Sequence, residues 1–291
     1  MENILITGST GLLGSSLYPH LIKCGYKVKT HARENHADFM FDLSNREKSY
    51  EMLTQLQPSV IINLVSLTSV ELCEENVDLA YLANTCTVEN LSDWIMTSGV
   101  GCHLVQISTD HVYDGVGLHT EDEITITNNY AFSKYAGELA AIRVPCTILR
   151  TNFVGRSQVI CRESLTDWVY NSLTDNRHVQ VLNDVYFSPL SITTLVEMIE
   201  LVVRKKPIGI YNLGSHSGMS KADFDFAFAE CLNLPTKTMT RINSSDATFL
   251  KAYRPKDMRM DISKFENSLD VKLPHLADLI KLVAQEYHEI T

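Results

Sequence analysis

The stretch ILITGSTGLLG, residues 4–14, decides the fold. Its first four residues predict a short buried strand, and Gly8, Gly11 and Gly14 follow at a spacing of three. A helix with an apolar face is predicted next, ending near Gly25. A strand, a glycine turn and a helix in this order are typical of a dinucleotide site, where free N–H groups at the helix start face the pyrophosphate. The alternative is an ordinary strand-to-helix turn that is rich in glycine.

The composition is that of an ordinary globular protein, with 291 residues, 45% hydrophobic and 21% charged. The net charge is −10 and the chain has no basic block, which argues against a nucleic-acid partner. The first predicted strand follows Met1 almost at once, and no apolar run reaches membrane-spanning length. We therefore expect no signal peptide, no membrane partner and a cytoplasmic location.

Cysteine and histidine usage points to no structural crosslink or metal. The seven cysteines are scattered without a Cys-x-x-Cys pair, which favours reduced thiols. The ten histidines have no metal-ligand spacing, so we expect no metal site.

Predicted strands and helices alternate through the first half, which predicts an α/β fold with a doubly wound, Rossmann-type parallel sheet. Strands are predicted at 4–7, 26–31, 39–43, 60–65, 103–107 and 147–149, and helices at 47–56, 76–96 and 130–142. Residues 1–155 are expected to form the dinucleotide-binding domain. A smaller substrate-binding lobe is expected over 156–187 and 215–291, with 188–214 packing back onto the first domain.

The end of the second predicted strand bears on the choice of cofactor. An acid there would bind the ribose hydroxyls of NAD, but the chain reads Thr30-His31-Ala32-Arg33. Arg33 could meet a 2′-phosphate, which favours NADP and leaves NAD as the alternative. Arg33 could equally be a solvated surface residue. Asp42 ends the third predicted strand, where an acid can accept from the adenine amino group.

Tyr130 and Lys134 lie one turn apart at the start of a predicted helix. A nearby ammonium lowers the pKa of a phenol from its usual value of about 10, so this pair is a candidate proton donor or acceptor. Of the twelve tyrosines, only Tyr130 has a lysine at this spacing. The alternative is an exposed pair with no role.

The fifth predicted strand is followed directly by Ser108, Thr109 and Asp110. A doubly wound sheet opens its ligand crevice at the carboxyl ends of its strands. Two hydroxyls and an acid directly after a buried strand are costly unless they are used. Thr109 can donate a hydrogen bond to a substrate carbonyl oxygen beside Tyr130.

With these motifs the chain resembles the extended short-chain dehydrogenase/reductase family, and within it the dTDP-4-dehydrorhamnose reductases. The likeness covers nearly the whole chain through the segments NLVSLTSVELCEEN (63–76), ISTDHVYDG (107–115), LRTNFVG (149–155), SPLSITTLVEMI (188–199), GIYNLGS (209–215) and RPKDMRMDISKF (254–265). It implies reduction of the 4-keto group of a nucleotide-linked 6-deoxy sugar by NADPH or NADH, in dTDP-rhamnose and polysaccharide biosynthesis.

The resemblance also implies roles for individual residues. Tyr130 would donate the proton, Lys134 would hold the nicotinamide ribose and tune Tyr130, and Thr109 would contact the reacting oxygen. The cofactor would further contact Gly8, Thr10, Gly11, Leu12, Leu13, Gly14, Arg33, Asp42, Leu43, Leu64, Val65, Ser66 and Thr68. The sugar would lie against Asp110 and Phe153, the latter at a position where the family usually has tryptophan.

Three cations within six residues, Arg254, Lys256 and Arg259, could compensate the diphosphate of such a substrate. The alternative is a solvated basic loop. The only partners we expect are the nucleotide sugar and a second copy of the chain in a homodimer.

The chain departs from the family pattern in two places. Leu64 and Val65 replace alanines after the fourth strand, and Asn128-Asn129 precede Tyr130 where proline is common. Three other functions remain open. A 4,6-dehydratase is disfavoured because His111 follows Asp110 where dehydratases carry a second acid. An epimerase would keep its NAD, and a non-catalytic subunit would bind the dinucleotide for a partner enzyme.

Overall fold

The computed structural model describes residues 2–34, 36–160 and 162–288. Its strands are β1 (Asn3–Thr7), β2 (Lys27–Ala32), β3 (Phe39–Met40), β4 (Val60–Asn63), β5 (His103–Thr109), β6 (Cys146–Thr151), β7 (Phe153–Val154), β8 (Val179–Leu182), β9 (Tyr186–Phe187), β10 (Leu190–Ser191), β11 (Gly209–Leu213), β12 (Met219–Ser220) and β13 (Met239–Ile242). Its helices are α1 (Gly14–Lys23), α2 (Arg46–Leu56), α3 (Val70–Glu75), α4 (Val77–Tyr81), α5 (Thr87–Ser98), α6 (Asn129–Ala141), α7 (Leu165–Thr174), α8 (Ile192–Lys205), α9 (Lys221–Cys231), α10 (Ser263–Leu269) and α11 (Leu276–His288).

Seven of these strands form one sheet in the order β11-β6-β5-β4-β1-β2-β3. The pairs β1–β2, β1–β4, β2–β3 and β4–β5 are parallel. The chain builds outward from β1 in one direction and from β4 in the other, so the strand order reverses between them. Ligands bind at such a switch point, beyond the carboxyl ends of the strands. The predicted doubly wound fold is confirmed.

A row of buried polar side chains fixes the strand ends at this switch point. Thr7 Oγ1 donates to Asn63 Oδ1 at 2.6 Å, and Asn63 Nδ2 donates to Gln106 Oε1 at 2.8 Å. The same residues are paired in register between β1 and β4 and between β4 and β5. The side chains therefore hold three strands level where the ligand crevice opens.

The chain divides into two compact units, at boundaries that differ from the predicted domains. The first unit is Met1–Thr109, Asn128–Arg150 and Val196–Tyr211, and the second is Asp110–Thr127, Thr151–Leu195 and Asn212–Thr291. Residues 110–127 and 151–155 thus fall in the second unit. Residues 196–211 return to the first because β11 is added beside β6 at the edge of the sheet.

The second unit has small sheets and its own aromatic core. Strand β8 pairs with β13 and β7 with β10, both parallel, and β9 pairs antiparallel with β12. Phe187 packs against Phe224 and Phe228 against Tyr287, each pair with ring centroids 5.4 Å apart. Such aromatic pairs bury large apolar areas and stabilise a small core.

The helix predicted over 76–96 is interrupted in the structure. Helix α4 runs into a π-helical turn, Leu82–Cys86, before α5 begins. The helices α3 and α10 and the strands β7, β8, β9, β10, β12 and β13 were not predicted. Every helix in the described part of the chain is too short or too polar to span a membrane.

Candidate active site

The glycine turn has the backbone geometry that a dinucleotide site needs. Gly8 has φ +71°, and a Cβ there would lie 3.0 Å from the backbone of Leu64. A Cβ on Gly14 would lie 2.5 Å from the carbonyl oxygen of Ser9. Both positions therefore require glycine, one for its backbone conformation and both for the close approach of neighbouring backbone.

The start of α1 is open to an anion. Its first turn contains no acidic residue, and no side chain caps it. Within residues 2–34, 36–160 and 162–288, no acceptor takes a hydrogen bond from the N–H of Leu12 or Leu13. Unsatisfied N–H groups at a helix start attract phosphate. The turn therefore fits a dinucleotide pyrophosphate.

A cavity of about 350 Å³ opens beside the turn on the side of β2, and its lining includes Ser9, Thr10, Thr30 and Asp38. Asp38 accepts from the backbone N–H and the hydroxyl of Thr30 at 2.9 and 2.8 Å. These bonds shape the side of the site where the adenosine half of a dinucleotide is expected.

The other residues predicted at the adenosine half differ in exposure. The Arg33 side chain is 71% exposed, with Nε 3.9 Å from Glu34. Although burial raises the pKa of Asp42, hydrogen bonds from Ser44 hold it below its usual value. Leu43 is buried in the core, so only its backbone remains for a ligand, and that carbonyl already accepts from Ser49 and Asn90.

The loop after β4 is pinned at its start. Leu64 N donates to Thr7 O at 3.0 Å, and Val65 N donates to Asn63 Oδ1 at 3.3 Å. Val65 packs partly against the core, and Thr68 is exposed. The bulk of Leu64 and Val65 is thus accommodated without loss of the strand end.

Asn84 anchors the rest of this loop, and sequence reasoning missed it. Its amide oxygen accepts from Ser66 Oγ and Leu67 N at 3.0 and 2.8 Å, and its amide nitrogen donates to Ser133 Oγ at 2.9 Å. Ser133 Oγ in turn donates to the carbonyl of Tyr130 at 2.9 Å. Asn84 thus links the loop after β4 to the first turns of α6. It lies in the π-helical turn, a feature that often marks functional sites and that the apolar periodicity of 76–96 conceals.

Tyr130 and Lys134 lie on the first turns of α6, which Asn128 caps by accepting from Ala131 N at 2.8 Å. Tyr130 is 8% exposed and Lys134 4%. Lys134 Nζ donates to the carbonyl of Ile107 at 2.8 Å, two residues before Thr109 at the end of β5. The first unit therefore brings the helix pair to the carboxyl end of β5. Two further N–H bonds of the ammonium can still be donated.

Burial lowers the pKa of Lys134 to about 8, while the charge of Glu138 and then Cys73 oppose the shift. Lys134 is therefore mostly protonated at neutral pH but close to losing its proton. A cation held at low exposure stabilises a phenolate more strongly than one in water.

In the second unit, Asp110 begins a short 3₁₀ turn and is 1% exposed. It accepts from Asn152 Nδ2 at 2.8 Å, and Phe153, the next residue, is half-buried in β7. The two residues predicted to contact the sugar are thus linked through Asn152.

The predicted basic loop is held by carboxylates. Arg259 donates to both oxygens of Asp257, at 2.8 and 2.5 Å, and Lys256 Nζ lies 2.6 Å from Asp184. Arg254 donates to the carbonyl of Ala252 at 3.1 Å. The charges of Arg259 and Lys256 are therefore largely compensated within the second unit. Across the described residues, no group of three or more His, Cys, Asp and Glu side chains is placed to hold a metal.

The sequence matches the family model for the RmlD substrate binding domain over residues 1–289. The chain belongs to the RmlD substrate binding domain family. The resemblance drawn from the sequence motifs is thereby confirmed.

Relatives of this RmlD family member include enzymes and a subunit. The dTDP-4-dehydrorhamnose reductase of Salmonella typhimurium is 28% identical, over 94% of this chain and 93% of the relative. The methionine adenosyltransferase 2 subunit beta of Rattus norvegicus is 25% identical, over 91% and 82%. A crystal structure of dTDP-4-dehydrorhamnose reductase from Bacillus anthracis, in complex with NADP, matches with a TM-score of 0.88 at 22% identity and covers 98% of this chain and 99% of that one.

Proposed function

We propose that this chain reduces the 4-keto group of a nucleotide-linked 6-deoxy sugar. The observation that carries the proposal is the buried pair of Tyr130 and Lys134, with Lys134 bonded to the strand that ends in Thr109. The similarity to the Salmonella reductase over nearly the full length of both chains supports the same reaction class. The glycine turn fits the cofactor that such a reaction needs.

In the proposed reaction Tyr130 donates its hydroxyl proton to the oxygen of the keto group as charge develops there. Thr109 donates a hydrogen bond to the same oxygen. Lys134 stabilises the phenolate that remains and binds the nicotinamide ribose through its free N–H groups. When bound, the reduced nicotinamide supplies the hydride for the keto carbon.

We propose NADP as the cofactor, with NAD as the alternative. Exposed Arg33 at the end of β2 suits a 2′-phosphate, and the Bacillus anthracis reductase is in complex with NADP. We propose that the glycine turn binds the pyrophosphate. The pyrophosphate would be held by Leu12 and Leu13 N–H, with Gly8, Gly11 and Gly14 permitting its approach.

For the sugar nucleotide we propose contacts from Asp110 and Phe153 to the sugar and from Arg254 to the diphosphate. Arg259 is a weaker candidate because Asp257 already binds the Nε–Nη2 edge of its guanidinium. The chain would act in the cytoplasm, in dTDP-rhamnose or related polysaccharide biosynthesis.

The test is a panel of 4-keto-6-deoxy sugar nucleotides with NADPH and NADH, followed by absorbance at 340 nm and by analysis of the product. We expect net consumption of the reduced cofactor with at least one sugar and a larger kcat/KM for NADPH. Product formed without net consumption would instead identify an epimerase. Absence of turnover across the panel contradicts the proposal.

A non-catalytic subunit is the second candidate, favoured by the similarity to methionine adenosyltransferase 2 subunit beta. Such a protein would bind NADPH with an affinity measurable by fluorescence but would show no turnover in the same panel. Binding and turnover together distinguish the two candidates.

We also propose that the chain forms a homodimer through α4 and α6. The neighbouring helices expose four large apolar side chains, each by 42–57%: Tyr81 at the end of α4, Leu82 directly after it, and Phe132 and Leu139 on α6. Apolar surface of this kind suits an interface between two copies. Light scattering should give twice the chain mass, and Phe132→Glu should give the monomer mass.

A further inference from the structure

A buried ion pair lies behind the proposed catalytic residues in the first unit. Glu138 and Arg150 are each 1% exposed. Arg150 Nε donates to Glu138 Oε1 at 3.0 Å, and Nη2 donates to Oε2 at 2.6 Å. A bidentate pair of this kind fixes both side chains, and loss of either partner leaves a buried charge uncompensated.

The pair is connected to the end of β5. The hydroxyl of Ser108 donates to Glu138 Oε1, and Ser108 directly precedes Thr109. Lys134, on the same helix as Glu138, donates to the carbonyl of Ile107. Two side chains of α6 thus bind Ile107 and Ser108, the two residues that precede Thr109 at the end of β5.

Glu138 is also one helical turn from Lys134, on the same face of α6. Its negative charge opposes the effect of burial on the pKa of Lys134, and Cys73 on α3 acts in the same direction. Arg150 on β6 binds Glu138 and is not a source of the shift. The carboxylate of Glu138 is therefore the main charge that keeps the buried ammonium protonated near neutral pH.

We infer that Glu138 and Arg150 are positioning residues of the proposed reductase site: Glu138 supplies the counter-charge of Lys134 and, through Ser108, holds Thr109, while Arg150 fixes Glu138. This inference rests on the proposed function. It adds a role that the Tyr-x-x-x-Lys motif alone does not contain, because the acid acts through Lys134 and Thr109 and touches neither substrate nor cofactor.

The test measures kcat/KM as a function of pH in Glu138→Gln, Arg150→Gln and the wild type. It compares the alkaline limb of each profile, which is the pH range where kcat/KM falls as pH rises. Without the carboxylate the pKa of Lys134 falls, so the limb of Glu138→Gln should move down by about 1 pH unit. Arg150→Gln leaves the buried carboxylate without its cation, so part of the counter-charge of Lys134 is lost and the limb should move down by less than in Glu138→Gln. A purely structural role would lower activity in both variants and leave both limbs where they are.

Single variants of a buried pair can fail to fold, since each leaves an unpaired charge. The double variant Glu138→Gln/Arg150→Met removes both charges and should fold, as judged by circular dichroism. The alkaline limb of its pH profile should also lie below that of the wild type, and an unmoved limb overturns the inference.

Ser108→Ala should lower kcat by about tenfold without moving the alkaline limb, because it removes only the hydroxyl link to Glu138.

The binding of NADPH without any sugar, measured by fluorescence between pH 6 and pH 10, should weaken at a lower pH in Glu138→Gln than in the wild type. Lys134 is proposed to bind the nicotinamide ribose, so affinity should fall as its proton is lost. A wild-type protein that binds no NADPH contradicts the proposed function. A wild-type protein that binds NADPH, with an unchanged pH dependence in Glu138→Gln, contradicts only the positioning role.

Discussion

Helix α6 of the first unit and helix α9 of the second each bury an acidic side chain, and they do so in opposite ways. Glu138 in α6 meets Arg150 through both of its oxygens. Asp225 in α9 is 2% exposed, and its Oδ1 accepts no hydrogen bond from any described residue. Burial raises the pKa of Asp225 to about 8, with Lys221 opposing the shift.

The difference between the two buried acids is that Glu138 is ion-paired, whereas Asp225 has no bonded cation among the described residues. An acid without a partner takes up a proton, because an isolated carboxylate in an apolar environment costs more than its neutralisation. Glu138 has a bidentate cation, and the first unit keeps a fixed negative charge one turn from Lys134. Fixed charges next to a phenol are what general acid catalysis uses, so α6 is where chemistry is expected.

The largest effect is expected from Tyr130→Phe, which removes the phenol hydroxyl proposed as the proton donor. Turnover should fall by ~10²-fold or more, because the developing alkoxide loses its proton donor. The affinity for NADPH should change little. The measurement is the rate of absorbance loss at 340 nm with a substrate found in the panel, alongside fluorescence titration of NADPH.

Tyr135→Phe is the matched control, since Tyr135 lies on the same helix and is only half-buried. It should keep near-normal turnover. Near-normal turnover of Tyr130→Phe would instead remove the chemical role from α6 and leave the scaffold alone.

A smaller effect should separate two arginines of the second unit. Arg254→Met should raise the KM for the sugar nucleotide by about tenfold, the worth of one charge-assisted hydrogen bond to the diphosphate. Arg259→Met should change this KM by less than about threefold, because Arg259 is bound by Asp257. Its main effect should be on folding, lowering the free energy of unfolding by ~1–3 kcal/mol as Asp257 loses its partner.

Steady-state kinetics and chemical denaturation of the two variants measure both quantities. Equal KM values for Arg254→Met and Arg259→Met would mean that pairing with Asp257 does not withdraw Arg259 from the substrate. In that case the whole basic loop would act as the diphosphate site.

The first unit was largely predictable from sequence because its signals are local. Gly8 and Gly14 mark a turn by conformational need, and Tyr130 and Lys134 lie on one helical face by spacing alone. The N-cap of α6 is Asn128, and an asparagine directly before a predicted helix is a local signal of this kind. The parallel sheet followed from the alternation of apolar strands and helices.

The pairings between side chains could not be predicted, because residue spacing alone does not show which side chains meet. Arg259 follows Asp257 by two residues, yet the sequence RPKDMR does not show that these two side chains form an ion pair. Asn84 bonds to the loop after β4 only because a π-helical turn interrupts a regular apolar pattern. The link between Glu138 and Arg150 depends on how β6 lies beside β5, and spacing does not encode that.

The smallest effect, and the sharpest form of the comparison, is expected from Asp225→Asn. The folded protein binds a proton at Asp225 more tightly than the unfolded chain, where the carboxyl has its ordinary pKa of 3.8. This group therefore stabilises the fold least above pH 8, and its contribution to the free energy of unfolding falls as pH rises between the two values. Asparagine has nearly the same shape and no charge to neutralise, so the variant should be more stable at pH 7.5 by ~1 kcal/mol or more and should have a flatter pH dependence of the free energy of unfolding.

Asp223→Asn on the same helix is the control. Hydrogen bonds, first from Ser220 and then from Arg241, lower the pKa of Asp223 although burial acts in the opposite direction. The control variant should therefore lose stability at neutral pH. Urea denaturation from pH 5 to pH 9 measures both slopes. Parallel curves for the wild type and Asp225→Asn would mean that folding does not change the proton affinity of Asp225, which would overturn the contrast drawn between α9 and the ion-paired acid of α6.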